Sequence, residues 1–549
     1  MEMLQTHTEL ASVMVGQPET RAPRGQTYAQ HLFLRASRTA LAASLISVAS
    51  GFPTLAQDRP DLSVAVAALP PTLEPADQLG NVSVRITYSM FDTLIRRDFL
   101  SSPNGDGAKL VPSLAQSWRR IDDRTLEIKL RPEVKFHNGE IMTADDVAFT
   151  FSPERLSGAN AVMKQGPAYF GILEKVEVID PLTVRFTTKN PDPVLEQRLA
   201  SWAAWIVNKK DWLEHANGKF PKFPVGTGPF KLSEYKQDQS VKLVAFDDYF
   251  GGRPTAASVT FSNVPEQATR IAGLVSGEFD IATNIAPDQI DQINSYPDVE
   301  ARSVVLGNVH TLVYNTQNPV IKDKRVRQAM NLAIDRQLLV EALWNGKAVV
   351  PKSHQFPEYG ALYNENRAGL VYDPEKAKRL LKEAGYKGEV IHYATHAAYY
   401  LNAVPAAQAI MEMWKAVGIN GQLNIVENVD QVSGDARGVI TNSNTIRYPD
   451  PAGGLWNLWG PYNKIQMTKD WQPTEFNELG EKLDRTTDIA QRREVFQKML
   501  DVWEDEAPGT ILYQPLETYG VNKSVEWKPY TSYYMDLRPY NLSFGAKRS

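Results

Sequence analysis

Residues 443–463 read SNTIRYPDPAGGLWNLWGPYN and gather side chains suited to recognition: Trp456, Trp459, Arg447, Tyr448 and Asp450, among three prolines and three glycines. No helical or strand period hides the rings. Two flat apolar faces on a loop can stack on a ligand at low entropic cost. Burial of both rings against the scaffold is the competing reading, since Trp is largely buried on average. Arg447 can fork onto a carboxylate or phosphate, and can equally pair within the loop with Asp450. A second cluster is His392 and His396 in HYATH, four positions apart, the spacing that sets two metal ligands on one helix face. The surrounding residues are strand-like and supply no carboxylate partner, so no metal site is assigned and no cofactor is expected. Glycosidases need facing carboxylates about 5 to 9 Å apart. With 64 acids and 11 Trp no specific pair stands out, and there is neither a G-x-S-x-G elbow nor a marked Ser, His and Asp arrangement. Nothing marks the chain as an enzyme.

These residues need elements to hold them, and the pattern predicts an α/β fold. LSVAVAALP after Asp61 reads as a buried strand, TLEIKLRPEVKF as strand and turn, and VEVIDPLTVRFTT as a hairpin about Asp180-Pro181. Thr143 followed by Ala144, Asp145 and Asp146 reads as a capped helix start. KDKRVRQAMNLAIDRQLLVEALWNG reads as one amphipathic helix ending at Gly346. In YDPEKAKRLLKEAGY, Asp373 caps, Pro374 suits the first turn and Gly385 terminates. AIMEMWKAVGI and the segment from Phe476 to Trp503 add two further helices. The glycines of GTGPFKLSEY precede a strand rather than a helix, so they make a turn and not a phosphate cradle.

The length of 549 residues exceeds what one core usually serves, so two large lobes are expected. A net charge of −5 with Lys and Arg spread along the chain lacks the footprint of a nucleic-acid binder. Cysteine is absent, which excludes disulfides, thiolate metal sites, a catalytic thiol and a lipid-anchoring Cys. Arg35 and Arg38, the run TALAASLISVASGFPTLA and the polar DRPD that follows have the order of a secretory signal peptide, with cleavage expected after Ala56. That run is interrupted by Ser47, Ser50, Gly51 and Pro53 and falls short of a membrane span. The mature chain is expected to be soluble and periplasmic.

Five stretches in order carry a resemblance: LVPSLAQSWRRIDDRTLEIKLRPEVKFHNGEIMTADDVAFTF (110–151), GTGPFKLSEYKQDQSVKLVAFDDYFGGRP (226–254), PEQATRIAGLVSGEFDIA (265–282), LVYNTQNPVIKDKRVRQAMNLAIDR (312–336) and VYDPEKAKRLLKEAGY (371–386). Together they resemble the extracytoplasmic solute-binding proteins of the dipeptide, oligopeptide and nickel ABC-importer family, family 5. The resemblance implies a two-lobed periplasmic-binding-protein fold of type II, hinged on two crossing strands, with an extra subdomain in the first lobe. It places lobe I at 57–100 and 225–308, the subdomain at 101–224, lobe II at 309–510 and a return to lobe I at 511–549. It implies a non-enzymatic, monomeric receptor that hands its solute to a membrane permease driven by ATPase subunits. Peptide-binding members hold the ligand's amino terminus with an Asp in a G-D-x-x-D-P loop, which aligns with RYPDP. Arg447 then stands where the amine-binding Asp would be, and Asp450 matches the later, structural Asp. A cation there repels an ammonium, which points to an anionic or sugar-like solute meeting Arg447, with Trp456 or Trp459 stacking on it. Tyr399 and Tyr400, in a loop that lines the cleft in relatives, and Tyr88 complete the candidate set. Peptides, opine-like or sugar conjugates and metal chelates stay open as ligand classes, and a secreted carbohydrate hydrolase is the alternative from another class.

Overall fold

The computed structural model describes residues 59–545 apart from 77–79, 103–104, 158–160, 164–165, 216–223 and 398–399. The signal peptide expected over 1–56 and Tyr399 lie outside the described residues. No helix among the described residues is long and apolar enough to cross a membrane.

The first lobe is built on a seven-stranded sheet whose middle is Asp61–Val66, paired in parallel with Ser258–Asn263 on one side and Ile281–Ala282 on the other. Asp61–Val66 is an almost continuous apolar run because both faces of a central strand are covered. An insert carries a four-stranded antiparallel sheet, ordered Ala115–Arg120, Thr125–Leu130, Thr183–Thr188 and Leu173–Asp180. Its hairpin turns at Asp180-Pro181, and the helix Ala144–Thr150 opens on a capping box between Thr143 and Asp146.

The second lobe has a five-stranded sheet ordered Gly421–Val426, Ile391–His396, Val439–Thr445, Asn308–Tyr314 and Gly509–Tyr513. Alternate residues of Asn308–Tyr314 point to opposite faces. Leu312 and Tyr314 join a core with Trp344 and Trp414, and Val309 and Val313 join one with Trp459, Trp503 and Phe476.

The chain passes between the lobes twice, side by side. Val299–Val305 of the first sheet leads through Leu306 and Gly307 into Asn308–Tyr314, and Gly509–Tyr513 leads through Gln514 and Pro515 into Leu516–Asn522 of the first sheet. Val305 faces Leu516 and His310 faces Tyr513, so the two passages are neighbours. Leu306 N donates to Pro515 O at 2.9 Å and the Gln514 amide to Leu306 O at 3.1 Å. The return falls at Gln514 and Pro515 and not at residue 511, because Gly509–Tyr513 still pairs in the second sheet.

The single helix read over KDKRVRQAMNLAIDRQLLVEALWNG is two, Lys324–Leu332 and Arg336–Trp344. Asp335 is extended, and its carboxylate accepts from Leu338 N at 3.0 Å, an N-cap that starts a new helix. The segment from Phe476 to Trp503 divides in the same way into Thr474–Arg485 and Ile489–Glu506, with Asp488 accepting from Gln491 N at 2.9 Å.

Candidate functional site

A cavity of about 600 Å³ lies between the lobes. The first lobe contributes Gly80 and Asn81, at the start of the helix Asn81–Thr87, and Trp202. The second contributes the whole run Ile440–Thr445, together with Tyr400, His396, Asn428, Arg447 and Lys464. The strand Val439–Thr445 is central in its sheet, between Ile391–His396 and Asn308–Tyr314. Central strands are ordinarily apolar throughout, yet this one ends TNSNT. The polar half borders the cavity, and its buried members are satisfied by hydrogen bonds within the lobe. Thr441 bonds Thr395 at 2.8 Å and Tyr393 at 2.9 Å, and Asn444 donates to Gly454 O at 3.0 Å, which fixes the strand against its neighbours. Thr445 Oγ1 accepts from the Asn308 amide at 2.8 Å and lies 3.4 Å from Asn81 Oδ1, a contact between the lobes. Arg437 and Asp470, both on the wall, form an ion pair with Nε to Oδ1 at 2.9 Å. The arrangement offers many neutral hydrogen-bonding groups around a solute-sized space.

Of the candidate residues, Arg447 and Tyr400 line this cavity. Arg447 leaves the end of the strand, and its guanidinium lies 4.6 Å above the ring of Tyr169, whose hydroxyl accepts from the Trp202 indole at 2.6 Å. Both aromatic residues belong to the insert, so Arg447 touches the first lobe while facing the cavity.

Five candidates are committed elsewhere. Asp450 does not pair with Arg447; its carboxylate is buried against Arg492, with Nη2 to Oδ1 at 2.7 Å, and caps the turn through Ala452 N at 2.8 Å. Tyr448 is buried in a small cluster with Val194 and Ala452, under the guanidinium of Arg198. Trp459 is fully buried, donating to His354 Nε2 at 3.0 Å between Trp471 and Trp503. Trp456 is buried against Phe476, and its indole donates to Asp484 Oδ2 at 2.9 Å. The expected stacking of either Trp on a ligand is therefore corrected: the glycines beside them let the chain fold the rings inward. The same holds for Tyr88, stacked at 4.2 Å on Tyr534 and covered by Arg538 in the first lobe, where burial pushes its phenol far up.

His392 and His396 lie on a strand and not a helix, where four positions span about 13 Å, too far to share one ion. Among the described residues no group of three or more His, Cys, Asp or Glu is placed to hold a metal. Asn81, Trp202, Asn442, Asn444 and Lys464 were not singled out in the sequence. The signal for the asparagines was present as a polar run ending a strand that the element order makes central.

A family model for bacterial extracellular solute-binding proteins, family 5, matches residues 109–466. The dipeptide-binding protein of Escherichia coli K12 is 28% identical over 446 residues, covering 76% of this chain and 83% of that protein. Among solved structures, the periplasmic binding protein DppA of Helicobacter pylori with the peptide STSA has a TM-score of 0.77 at 24% identity, covering 88% of this chain and 98% of that one. AgaA of A. tumefaciens R10 with agropinic acid has a TM-score of 0.77 at 23% identity, covering 89% and 99%.

Proposed function

The chain belongs to the family 5 bacterial extracellular solute-binding proteins, and from that membership we propose that it is the capture receptor of an ABC importer, holding a peptide or peptide-like solute between its lobes. The cavity carries the reading: about 600 Å³, walled by Asn81 and Trp202 of one lobe and by Asn444, Arg447 and Tyr400 of the other. A solute that touches both walls gains contacts in the closed form that it lacks in the open one. It therefore shifts the hinge at Leu306-Gly307 and Gln514-Pro515 toward closure by that difference in affinity. The closed receptor is then the form that a membrane permease with its ATPase subunits recognises. The protein acts as a monomer in the periplasm, exported by a signal peptide cleaved after about Ala56, with no Cys to carry a lipid. It turns over no substrate.

A ligand that binds only the folded state raises the melting midpoint in proportion to ln(1 + [L]/Kd). In a thermal-shift screen of dipeptides, opines, sugar acids and nickel–histidine, at least one class raises the midpoint and is recovered unchanged. Turnover of the stabilising compound would overturn the receptor reading in favour of the secreted hydrolase.

Arg447 favours a second reading of the ligand, an anionic opine-like or sugar-conjugate solute. A guanidinium stacked on Tyr169 at 4.6 Å is held in one plane and keeps its fork geometry for a carboxylate or phosphate. With the ligand from the screen in hand, Arg447→Ala weakens an acidic solute at least about tenfold, as loss of a charged hydrogen bond does. An unchanged Kd would remove the anion reading.

A further inference from the structure

Arg447 rises from the second lobe, yet two of the contacts that orient it come from the first. Its own turn holds the backbone, Arg447 N donating to Gly453 O at 3.1 Å. Across the cleft, Arg97 Nη1 lies 3.4 Å from Arg447 O, and the guanidinium stands 4.6 Å above the ring of Tyr169.

That ring is itself fixed within the first lobe. Tyr169 is fully buried in the short helix Gly166–Phe170. Its hydroxyl accepts from the Trp202 indole at 2.6 Å and its carbonyl from Arg198 Nη1 at 3.3 Å, and neither bond crosses the cleft. The stack on Arg447 does cross it, so it exists only when the lobes are closed. An arginine side chain is rich in rotamers, and ordering it to meet an anion lowers the affinity. A rigid aromatic face removes part of that freedom before the anion arrives. The cavity wall shows the same order of events. The run Ile440–Thr445 and Tyr400 belong to the second lobe, against Gly80, Asn81 and Trp202 from the first. A solute therefore settles on the second lobe while Arg447 is not yet braced.

We propose that Tyr169 is a positioning residue that ties charge recognition to closure. Arg447 acquires its anion-binding geometry as the lobes close, so the receptor senses a solute's charge after capture, in how slowly it lets go. The inference rests on the anion reading of Arg447 and adds regulation to that site. The charge of Arg447 steers anions toward the open cleft with or without the ring, so the ring acts on dissociation and not on encounter.

Inorganic sulfate is the probe, with affinities from calorimetry at constant ionic strength. The Arg447 side-chain Nε–H resonance of isotope-labelled protein, identified by its loss in Arg447→Ala, reports the stack and the release rate. Ring current should displace that resonance in the wild type and in Tyr169→Phe, which keeps the face, but not in Tyr169→Leu or Tyr169→Met. Two variants without a face keep the test usable if one fails to fold. Sulfate should bind the wild type and Tyr169→Phe alike, and the Leu and Met variants about three- to thirtyfold more weakly, with the change in the dissociation rate. Equal affinity in the wild type and in the Leu and Met variants would overturn the positioning role, and would leave Arg447 as the anion ligand if Arg447→Ala still abolishes binding. Sulfate binding unchanged in Arg447→Ala, or absent from the wild type, would remove the anion reading and this inference with it. A mere closing contact would act only by opening the protein. The control is Asp484→Asn, which weakens the bond to Arg198 across the lobes and leaves the ring in place. If that variant loses as much sulfate affinity at the same radius of gyration in small-angle scattering, Tyr169 only helps to close the cleft and the proposal falls.

Discussion

His354 is fully buried in the second lobe, its Nε2 accepting from the Trp459 indole at 3.0 Å, and burial drives its pKa down to about 3. A protonated ring would turn a second N–H toward that donor. In the unfolded chain the same imidazole titrates near 6.5, so the unfolded state binds the proton first on acidification. The stability this site contributes is complete above about pH 6.5 and falls as pH drops toward 3, by on the order of 2 kcal/mol by pH 4.5. His354→Gln keeps an acceptor and removes the titration. Its urea midpoint, compared at pH 7 and pH 4.5, should fall less than that of the wild type; equal falls would refute the assignment. At Asp450 the charge is paired with Arg492, both fully buried. Asp450→Ala strands that guanidinium and should cost about 3 to 5 kcal/mol in urea unfolding. These residues show what the sequence could disclose. The Trp pair was visible, as was its capacity to bury, but whether the rings turn in or out depends on His354 and Asp484, which lie 105 and 28 positions away. Arg447 was legible as the odd residue in RYPDP, and it does face the cavity. Tyr448 was grouped with it by adjacency, which packing does not respect; Asp450, aligned with the structural Asp of the loop, is held in the scaffold by Arg492; Tyr88 is buried on Tyr534 in the first lobe.

Elements were more legible than contacts, because a helix or strand announces itself through local period and caps. Asp373 accepts from Lys376 N at 2.8 Å and Gly385 takes a left-handed φ of 75°, as the letters of YDPEKAKRLLKEAGY require. The two merged helices were misread because an Asp inside an amphipathic run looks like a surface residue until its side chain is seen capping the next turn. The strand Val439–Thr445 escaped notice because its polar end breaks the pattern that marks a central strand. Helix Thr474–Arg485 carries a test of packing against propensity. Gly480 in a helix interior ordinarily invites Ala, with a gain of roughly 1 kcal/mol. Here a Cβ would come within 2.1 Å of the Trp456 ring, which is itself wedged against Phe476. An indole held in a core cannot swing away as a flexible side chain would. Gly480→Ala should therefore destabilise the protein by about 1 to 3 kcal/mol, read as a lower melting midpoint; a rise would show that the ring has room to move.

At the scale of the whole molecule, the RYPDP turn and the insert of the first lobe meet across the cleft, in addition to the contact of Thr445 with Asn81. Arg198, buried in the short helix Leu195–Leu199 of the insert, bonds Asp192 through Nε at 3.1 Å and reaches Asp484 of the second lobe through Nη2, also at 3.1 Å. Asp484 is further held by the Trp456 indole. Beside this bridge Val194 packs on Tyr448 and Ala452, Arg447 covers Tyr169, and Arg97 Nη1 lies 3.4 Å from Arg447 O. None of these contacts needs a solute, so they stabilise closure whichever ligand is present. A receptor latched too firmly would close empty, and one without a latch would ask the solute for the whole closing energy. Asp484→Asn tests this division. The amide oxygen still accepts from Trp456, and Arg198 keeps Asp192, but the bond between the lobes loses its charge, which costs about 1.5 kcal/mol of closed-state stability. The ligand-free variant should then show a larger radius of gyration in small-angle scattering. Its Kd should rise about tenfold for every ligand alike, because a weaker latch taxes closure and not recognition. A ligand-dependent change in Kd would make Asp484 part of the recognition surface instead, and an unchanged radius with unchanged Kd would mean that the bridge forms without biasing closure.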